Sequence, residues 1–510
     1  LKSVTFSYFR RGKVFYCLFH VFSRPPLQLS YRVPTFSKAH KFAGFQWIHQ
    51  RSIMTSTRKS ISFSEYDAVG FDVDHTLAKY NLPNLFDLAY DCLAKFLVEH
   101  KGYNKSLLSP FKEQKSFNCR GIVLDVKKGN FLKLSEDGTI IRASHGTRFL
   151  KKDDIQKYYG TDCHLPEFEQ LVKKVNNIDG FRIFENFFDM PGSLICGRVI
   201  DIIDRQEHDH PSDYGTYLKD ILEAYEYVYR PQGYKEDTGG FFPEYKRNVE
   251  KYITPCTDEV KKWLLQLRKD KKLFLITSSY PDFATQTIEA ALGSKWDDFF
   301  DICIFWARKP GFFQTDRSFH SVEGFKEKGP VKELKAGLTY SQGNYASFME
   351  FLQKETGKEK PKVLYFGDSL RSDIFPAKEF GKWDTVMVLE EMVAESHDSK
   401  SEETGEPKEK EMKYIGPSEE EKDYLTSEQW GSLFSDKNGQ NGTDKDLKVP
   451  AEMNTLWGYI IRKYADIAIP QLDYMTDFPF DHKYDVFDHE DPKSWGFYPV
   501  VPEALTSKKS

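Results

Sequence analysis

The 510-residue sequence has no paired-cysteine motif and no long apolar run, and both gaps narrow what it can be. Its seven cysteines (17, 92, 119, 163, 196, 256, 303) are odd in number, scattered, and nowhere spaced C-x-x-C. That argues against a disulfide scaffold and a thiolate zinc site, and for a reducing compartment. No apolar segment approaches the ~18 residues a membrane helix requires, so no membrane partner is expected. Residues 1–64 contain no Asp or Glu while carrying 11 Lys/Arg. The formal charge of -5 for the whole chain then leaves -16 on the remainder. An acidic body lacks the basic stripe that nucleic-acid binding wants, so nucleic acid is not an expected partner either. No internal repeat is evident.

What is present suits a globular protein with a well-filled interior: 40% hydrophobic residues, 29% charged, and 42 Phe with 28 Tyr. The acid-free leader supports two readings. Its composition resembles a mitochondrial presequence. Alternatively, the chain starts at Leu1 while Met54 stands shortly before the first motif, and residues 1–53 lie upstream of the true start. The second reading is preferred, the leader is set aside from the fold, and a cytoplasmic location is expected, with a mitochondrial one as the alternative.

Five short apolar runs end in polar chemistry. Tyr66–Phe71 leads to Asp72, Lys272–Ile276 to Thr277-Ser278-Ser279, and Asp301–Phe305 to Trp306-Ala307-Arg308-Lys309. Lys362–Phe366 leads to Gly367-Asp368-Ser369, and Thr385–Leu389 to Glu390-Glu391. Runs of this length and composition suit strands buried on both faces. Between them, TDEVKKWLLQLRKDKK places Val260, Trp263, Leu264 and Leu267 on one helical face, with Thr257 or Asp258 as cap. Strand and helix in alternation predict an α/β fold, a Rossmann-like parallel sheet whose site lies beyond the carboxyl ends of its strands.

The core is expected over 64–100 and 255–394. The intervening 101–254 reads as a large α+β cap domain inserted after the first strand-helix unit. It opens with a meander over 121–146 that turns at Lys128-Gly129-Asn130 and Glu136-Asp137-Gly138, and continues with mainly helical sequence such as LKDILEAYEYVY. Residues 395–449 read as a charged, disordered loop. Residues 450–510 supply a helix, TLWGYIIRKYADIAI, and a tail that pack on the core.

The stretch Asp72-Val73-Asp74-His75-Thr76 sets two carboxylates one residue apart at a strand end. A hard cation such as Mg2+, which takes oxygen ligands from one or two carboxylates, resolves their repulsion, and Asp368 can add a carboxylate from another strand end. The ion then lets an anionic phosphate approach Asp72. Asp72-x-Asp74-x-Thr76, the Thr277 strand end, Lys309 and Gly367-Asp368…Asp373 resemble the four motifs of the haloacid dehalogenase-like superfamily. The segments GFDVDHTLAKY, GNFLKL with His145-Gly146, ARKPGFF and GDSLRSDI are similar to its cytosolic 5′-nucleotidase-like branch, and most of all to 5′-nucleotidase domain-containing proteins. The resemblance covers about residues 64–392.

That resemblance implies a magnesium-dependent phosphomonoester hydrolase acting on a small-molecule substrate, with a nucleoside monophosphate as the first expectation. Asp72 would be the nucleophile, Asp74 the general acid and base, Thr277 and Ser278 phosphate contacts, and Lys309 the charge partner of the transition state. Magnesium would take the Asp72 carboxylate, the Asp74 backbone carbonyl and Asp368, with Asp373 acting through water. Phe188 maps to the aromatic residue that stacks on the base. Where purine-specific relatives carry arginine, an acid and a His-Tyr pair, this chain has Leu222, Glu226 and Tyr229-Arg230, which puts purine specificity in doubt.

Taken singly, each residue has a plainer role. Asp72, Asp74 and Thr277 can be caps, Lys309 a surface lysine, Asp368 a turn residue, and Phe188 core. His75 and His145 read as packing groups, and His208 and His210 as solvated. Two further functions stay open: a phosphatase for another small phosphoester, and a catalytically silent binding or regulatory protein. A homo-oligomer is compatible with the sequence.

Overall fold

Each of the five apolar runs forms a strand in the computed structural model, which describes residues 60–206, 211, 213–396, 416–436, 453–488 and 495–506. The leader, His208 and His210 lie outside the described residues. In chain order, the elements that matter for the site begin with strand β1 (Ala68–Phe71) and helix α1 (Leu82–Lys101). Strands β2 (Ile122–Asp125), β3 (Asn130–Leu134), β4 (Ile140–His145), β5 (Arg148–Phe149) and β6 (Phe181–Phe184) follow. Helices α2 (Met190–Gln206), α3 (Gly215–Tyr229) and α4 (Asp258–Asp270) lead to strand β7 (Lys272–Ile276), helix α5 (Pro281–Leu292) and strand β8 (Ile302–Phe305). The remainder comprises β9 (Phe319–Glu323), β10 (Lys326–Pro330), β11 (Leu338–Gln342), α6 (Tyr345–Thr356), β12 (Val363–Gly367), β13 (Asp384–Val388), α7 (Glu419–Leu425), α8 (Leu456–Tyr464) and β14 (Ile467–Ile469).

One nine-stranded sheet has the order β10-β9-β11-β8-β7-β1-β12-β13-β14. From β11 to β14 every pairing is parallel, and the β9–β10 hairpin adds antiparallel strands at one edge. β1, β7, β8 and β12 are buried along their length apart from the first residue of β7, as a sheet covered on both faces requires. α4 starts where its cap predicts: the Thr257 hydroxyl accepts from the Val260 amide at 3.3 Å, and Val260, Trp263, Leu264 and Leu267 form its buried stripe. The fold is thus α/β with a Rossmann-like parallel sheet.

The insertion carries its own antiparallel sheet, β5-β4-β3-β2-β6, and the helices α2 and α3. α1, grouped with the core in the sequence reading, packs its buried face on α2 and α3 and so contacts the cap. Two further expectations are corrected. Part of the stretch expected to be a charged loop is ordered: Ser418 and Glu421 close a reciprocal capping box on α7, and Trp430 is fully buried with Nε1 donating to the Phe117 carbonyl at 2.6 Å. Its apolar residues, Tyr424, Leu425, Trp430, Leu433 and Phe434, give it a core to join. Likewise TLWGYIIRKYADIAI is not one helix. α8 ends at Tyr464, and Ile467–Ile469 pairs with β13 as the far strand of the main sheet.

Candidate active site

The central strand β1 runs between β7 and β12, so Asp72, Thr277 and Asp368 emerge side by side at one end of the sheet. The Asp72 amide donates to the Phe366 carbonyl at 2.9 Å, which prolongs the ladder one residue and fixes where the carboxylate projects. Lys309 arrives from β8 through a tight loop in which Trp306 and Arg308 take left-handed φ values of 45° and 58°. Non-glycine residues held there store strain, a feature that clusters at functional sites. The Lys309 amide then donates to Ser278 Oγ at 2.9 Å, and Thr277 Oγ1 accepts from the Ser279 amide at 3.0 Å.

Lys309 is 2% exposed and fully engaged. Its Nζ lies 2.8 Å from Asp72 Oδ1 and 2.5 Å from Asp373 Oδ1, and donates to the Ile276 carbonyl at 2.9 Å and to the Tyr365 hydroxyl at 3.0 Å. Burial works against its charge, but Asp373 and Asp72 outweigh burial and hold the ammonium above its ordinary range. Asp373 reaches this position because the turn after β12 folds back onto Gly367. A Cβ on Gly367 would lie 2.4 Å from the Asp373 Cβ, so only glycine permits the approach.

Asp72, Asp368 and Asp373 are all buried, and each offers an oxygen within 4.8 Å of the others. Burial pushes Asp72 up to about 8 against the pull of Lys309, with Asp373 and Asp74 raising it further. Burial also drives Asp368 well above the usual carboxylate range, Arg120 opposing and Asp373 and Asp72 adding to it. Three buried carboxylates whose oxygens lie this close together, with oxygen donors only, fit a hard divalent cation. Asp74 sits apart from this group. Its Oδ1 accepts from Tyr80 and its Oδ2 from Ser279, both at 2.6 Å, and burial raises its pKa in spite of those two donors.

These residues line one cavity of about 70 Å3, whose wall is completed on the cap side by Asn186 and Phe188 and elsewhere by His75, Phe283 and Arg371. The structure thus brings Asp72, Asp74, Thr277, Ser278, Lys309, Asp368, Asp373 and Phe188 to one place. Phe188 is packed edge-on against His75 and Tyr80, at centroid distances of 5.2 Å. His75 is buried in the same aromatic cluster, and burial keeps its imidazole well below the usual range, hence neutral. His145 lies elsewhere, bonded to Asn130 and Asp204. Leu222 and Glu226 are not in the wall, while Tyr229 is buried behind Phe188, its hydroxyl donating to the Phe188 carbonyl at 3.3 Å.

Sequence reasoning missed Tyr80, Ser279 and Tyr365, which hold Asp74 and Lys309. Tyr80 closes the GFDVDHTLAKY segment and Ser279 stands two residues after Thr277, so both signals lay within quoted motifs. Tyr365, inside an apolar strand, carried none.

Residues 57–456 match the model of the 5′ nucleotidase family. The human 5′-nucleotidase domain-containing protein 1 is 39% identical over 88% of this chain and 98% of its own length, and the Bos taurus protein of the same name is 39% identical over 88% and 97%. The rat 5′-nucleotidase domain-containing protein 2 is 28% identical over 66% of this chain and 59% of its own. A solved phosphatase structure from Clostridium difficile aligns at 13% identity over 64% of this chain and 86% of that one, with a TM-score of 0.24, too loose a superposition to support an argument. The extent of the family match and the two relatives at 39% identity agree with the strand-end motifs, and this chain belongs to the 5′-nucleotidase family.

Proposed function

We propose that the protein is a magnesium-dependent phosphomonoester hydrolase that acts on nucleoside monophosphates through an aspartyl-phosphate. The observation that carries this is the Lys309 ammonium joining Asp72 to Asp373 at the mouth of the parallel sheet, beside an Asp74 already held by two hydroxyls. An Asp72 oxygen attacks phosphorus as the bond to the leaving oxygen breaks, and Asp74 gives its proton to that oxygen. Asp74 then takes a proton from water, whose oxygen attacks the same phosphorus, and the bond to Asp72 breaks to release inorganic phosphate. The hydroxyls of Tyr80 and Ser279 fix the Asp74 plane for both steps, and each can turn its own proton away while Asp74 carries one. Lys309, with Thr277 and Ser278, faces the oxygens on which charge builds. Asp72, Asp368 and the Asp74 backbone carbonyl would hold Mg2+, with Asp373 acting through water, and the ion would neutralise carboxylate and phosphate charge.

A cavity of about 70 Å3 accepts a phosphoryl group but falls below the ~300 Å3 of ordinary ligand pockets, so nucleoside entry requires the cap to part near Phe188. The free thiols of the described residues, none paired, suit a cytoplasmic setting. The covalent step is tested by acid-quenching the protein after mixing with a 32P-labelled nucleoside monophosphate and Mg2+. Label is expected on the peptide that contains Asp72, and none in Asp72→Asn. Label on another residue, or turnover that survives in Asp72→Asn, would remove Asp72 from its role.

A further inference from the structure

Arg371 takes no part in the chemistry above, yet it stands in the wall of the same cavity as Asp72, Asp74 and Lys309. It is 3% exposed, and its guanidinium extends toward the cap. There Nη1 donates to Asn176 Oδ1 at 3.2 Å, while Nε lies 3.7 Å from Glu185 Oε1. That second approach is an ion pair without a hydrogen bond, and Nε has no hydrogen-bond partner. Leaving a buried donor unpaired is costly, and such groups point to a ligand or a functional role.

The backbone under Arg371 is unusual as well. Leu370–Ile374 forms a π-helical turn, a rare geometry found frequently at functional sites. The turn sends Asp373 to Lys309 while Arg371 joins the cavity wall above it.

Charge decides what Arg371 can recognise. Glu185 is buried beside it and also accepts from Ser369 Oγ at 2.8 Å; burial works against its ionisation while Arg371 favours it, so the guanidinium already faces an acidic partner. A second anion on the substrate would meet Asp72, Asp74, Asp368 and Asp373 in the same cavity. What remains is an Nε–H without a hydrogen-bond partner, covered in this structure, which a neutral oxygen acceptor reaches when the cap parts to admit the substrate.

We infer that Arg371 is a specificity-determining residue that donates Nε–H to a hydroxyl or ring oxygen of the leaving alcohol, selecting pentose-type phosphomonoesters over alkyl or aryl ones. This deepens the hydrolase reading and rests on it.

The test compares wild type, Arg371→Met and Arg371→Lys on ribose 5-phosphate, a nucleoside monophosphate and p-nitrophenyl phosphate with Mg2+. Both variants are expected to lose about tenfold or more in kcat/KM on the two sugar phosphates, through KM, and to stay within about twofold on the aryl ester. An equal loss on all three substrates would make Arg371 a structural tie between core and cap, and no loss would remove it from recognition; either overturns the assignment. Arg371→Lys keeps the charge opposite Glu185 without the fixed Nε–H, so it is read if Arg371→Met does not fold. Binding separates this inference from the hydrolase reading. In an Asp72→Asn background, calorimetry is expected to show ribose 5-phosphate binding more tightly than methyl phosphate, with the difference lost on adding Arg371→Met. If no phosphoester is turned over, the hydrolase reading fails while that ratio still decides the role of Arg371. A difference that survives Arg371→Met, or the lack of any difference at the start, would refute it.

Discussion

Replacing Lys309 with methionine keeps the length of the side chain and removes its charge. The ammonium is buried between Asp72 Oδ1 at 2.8 Å and Asp373 Oδ1 at 2.5 Å, and it also engages the Ile276 carbonyl and the Tyr365 hydroxyl. Removing one partner of a buried pair costs ~3–5 kcal/mol, because the remaining charge is left without compensation. The loss depends on pH in a definite direction. Burial has already pushed Asp72 from 3.8 up to about 8, and without Lys309 nothing of comparable size pulls it down. The folded protein then holds protons that the unfolded chain releases, so stability is retained below about pH 4 and lost as pH rises toward 8 and beyond. Melting curves of Lys309→Met in metal-free buffer should therefore fall away from wild type most steeply above about pH 8, where wild-type Asp72 ionises beside Lys309, and lie closest at pH 5. Phosphate release should fall by about a hundredfold to a thousandfold, the usual cost of losing one preorganised electrostatic contact. A melting difference that does not grow above about pH 8, or activity within tenfold of wild type, would refute the idea that this ammonium is the electrostatic keystone of the site.

Other expectations follow from the same structure. Metal affinity should rise with pH between about 6 and 8, since binding at Asp72 must displace a proton held up to about 8; calorimetry in two buffers of different ionisation heat would show the released proton, and a pH-independent affinity would contradict it. Burial raises Glu395 from 4.5 to about 7, against the Leu433 amide that bonds it, so this group costs stability as pH rises from 4.5 to 7. Glu395→Gln should remove up to ~3 kcal/mol of that slope in pH-dependent denaturation, and an unchanged slope would assign it elsewhere. Trp430→Ala should destabilise by ~3–5 kcal/mol and expose the segment around α7 to limited proteolysis, while an unchanged cleavage pattern would deny Trp430 its anchoring role.

Much of the site was legible because its chemistry sits where strands end. A run such as KLFLI announces a buried strand, and the first polar residues after it are placed by the sheet, so Asp72, Thr277 and Asp368 follow from order alone. The polar strands β9 and β10 gave no such signal: KEKGP is exposed throughout, and hydrogen bonding at a sheet edge holds it rather than burial. Ile467–Ile469 was read as helix since IAI suits either state, and only pairing with β13 decides. The region around α7 looked solvated because Glu and Lys outnumber its apolar residues locally, yet a few large side chains buried against the cap suffice to order it. Arg371 gave no hint at all. Its meaning depends on Glu185 and Asn176, nearly two hundred residues earlier, meeting it across the seam between cap and core.

The central claim is tested most directly by measuring phosphate release from a panel of nucleoside monophosphates and other small phosphoesters, with and without Mg2+. Folded wild-type protein and Asp72→Asn would be compared under the same conditions. Turnover of at least one nucleoside monophosphate, abolished by chelator and by Asp72→Asn, is the result predicted. Absence of turnover across the panel, from folded protein that still binds Mg2+, would contradict it.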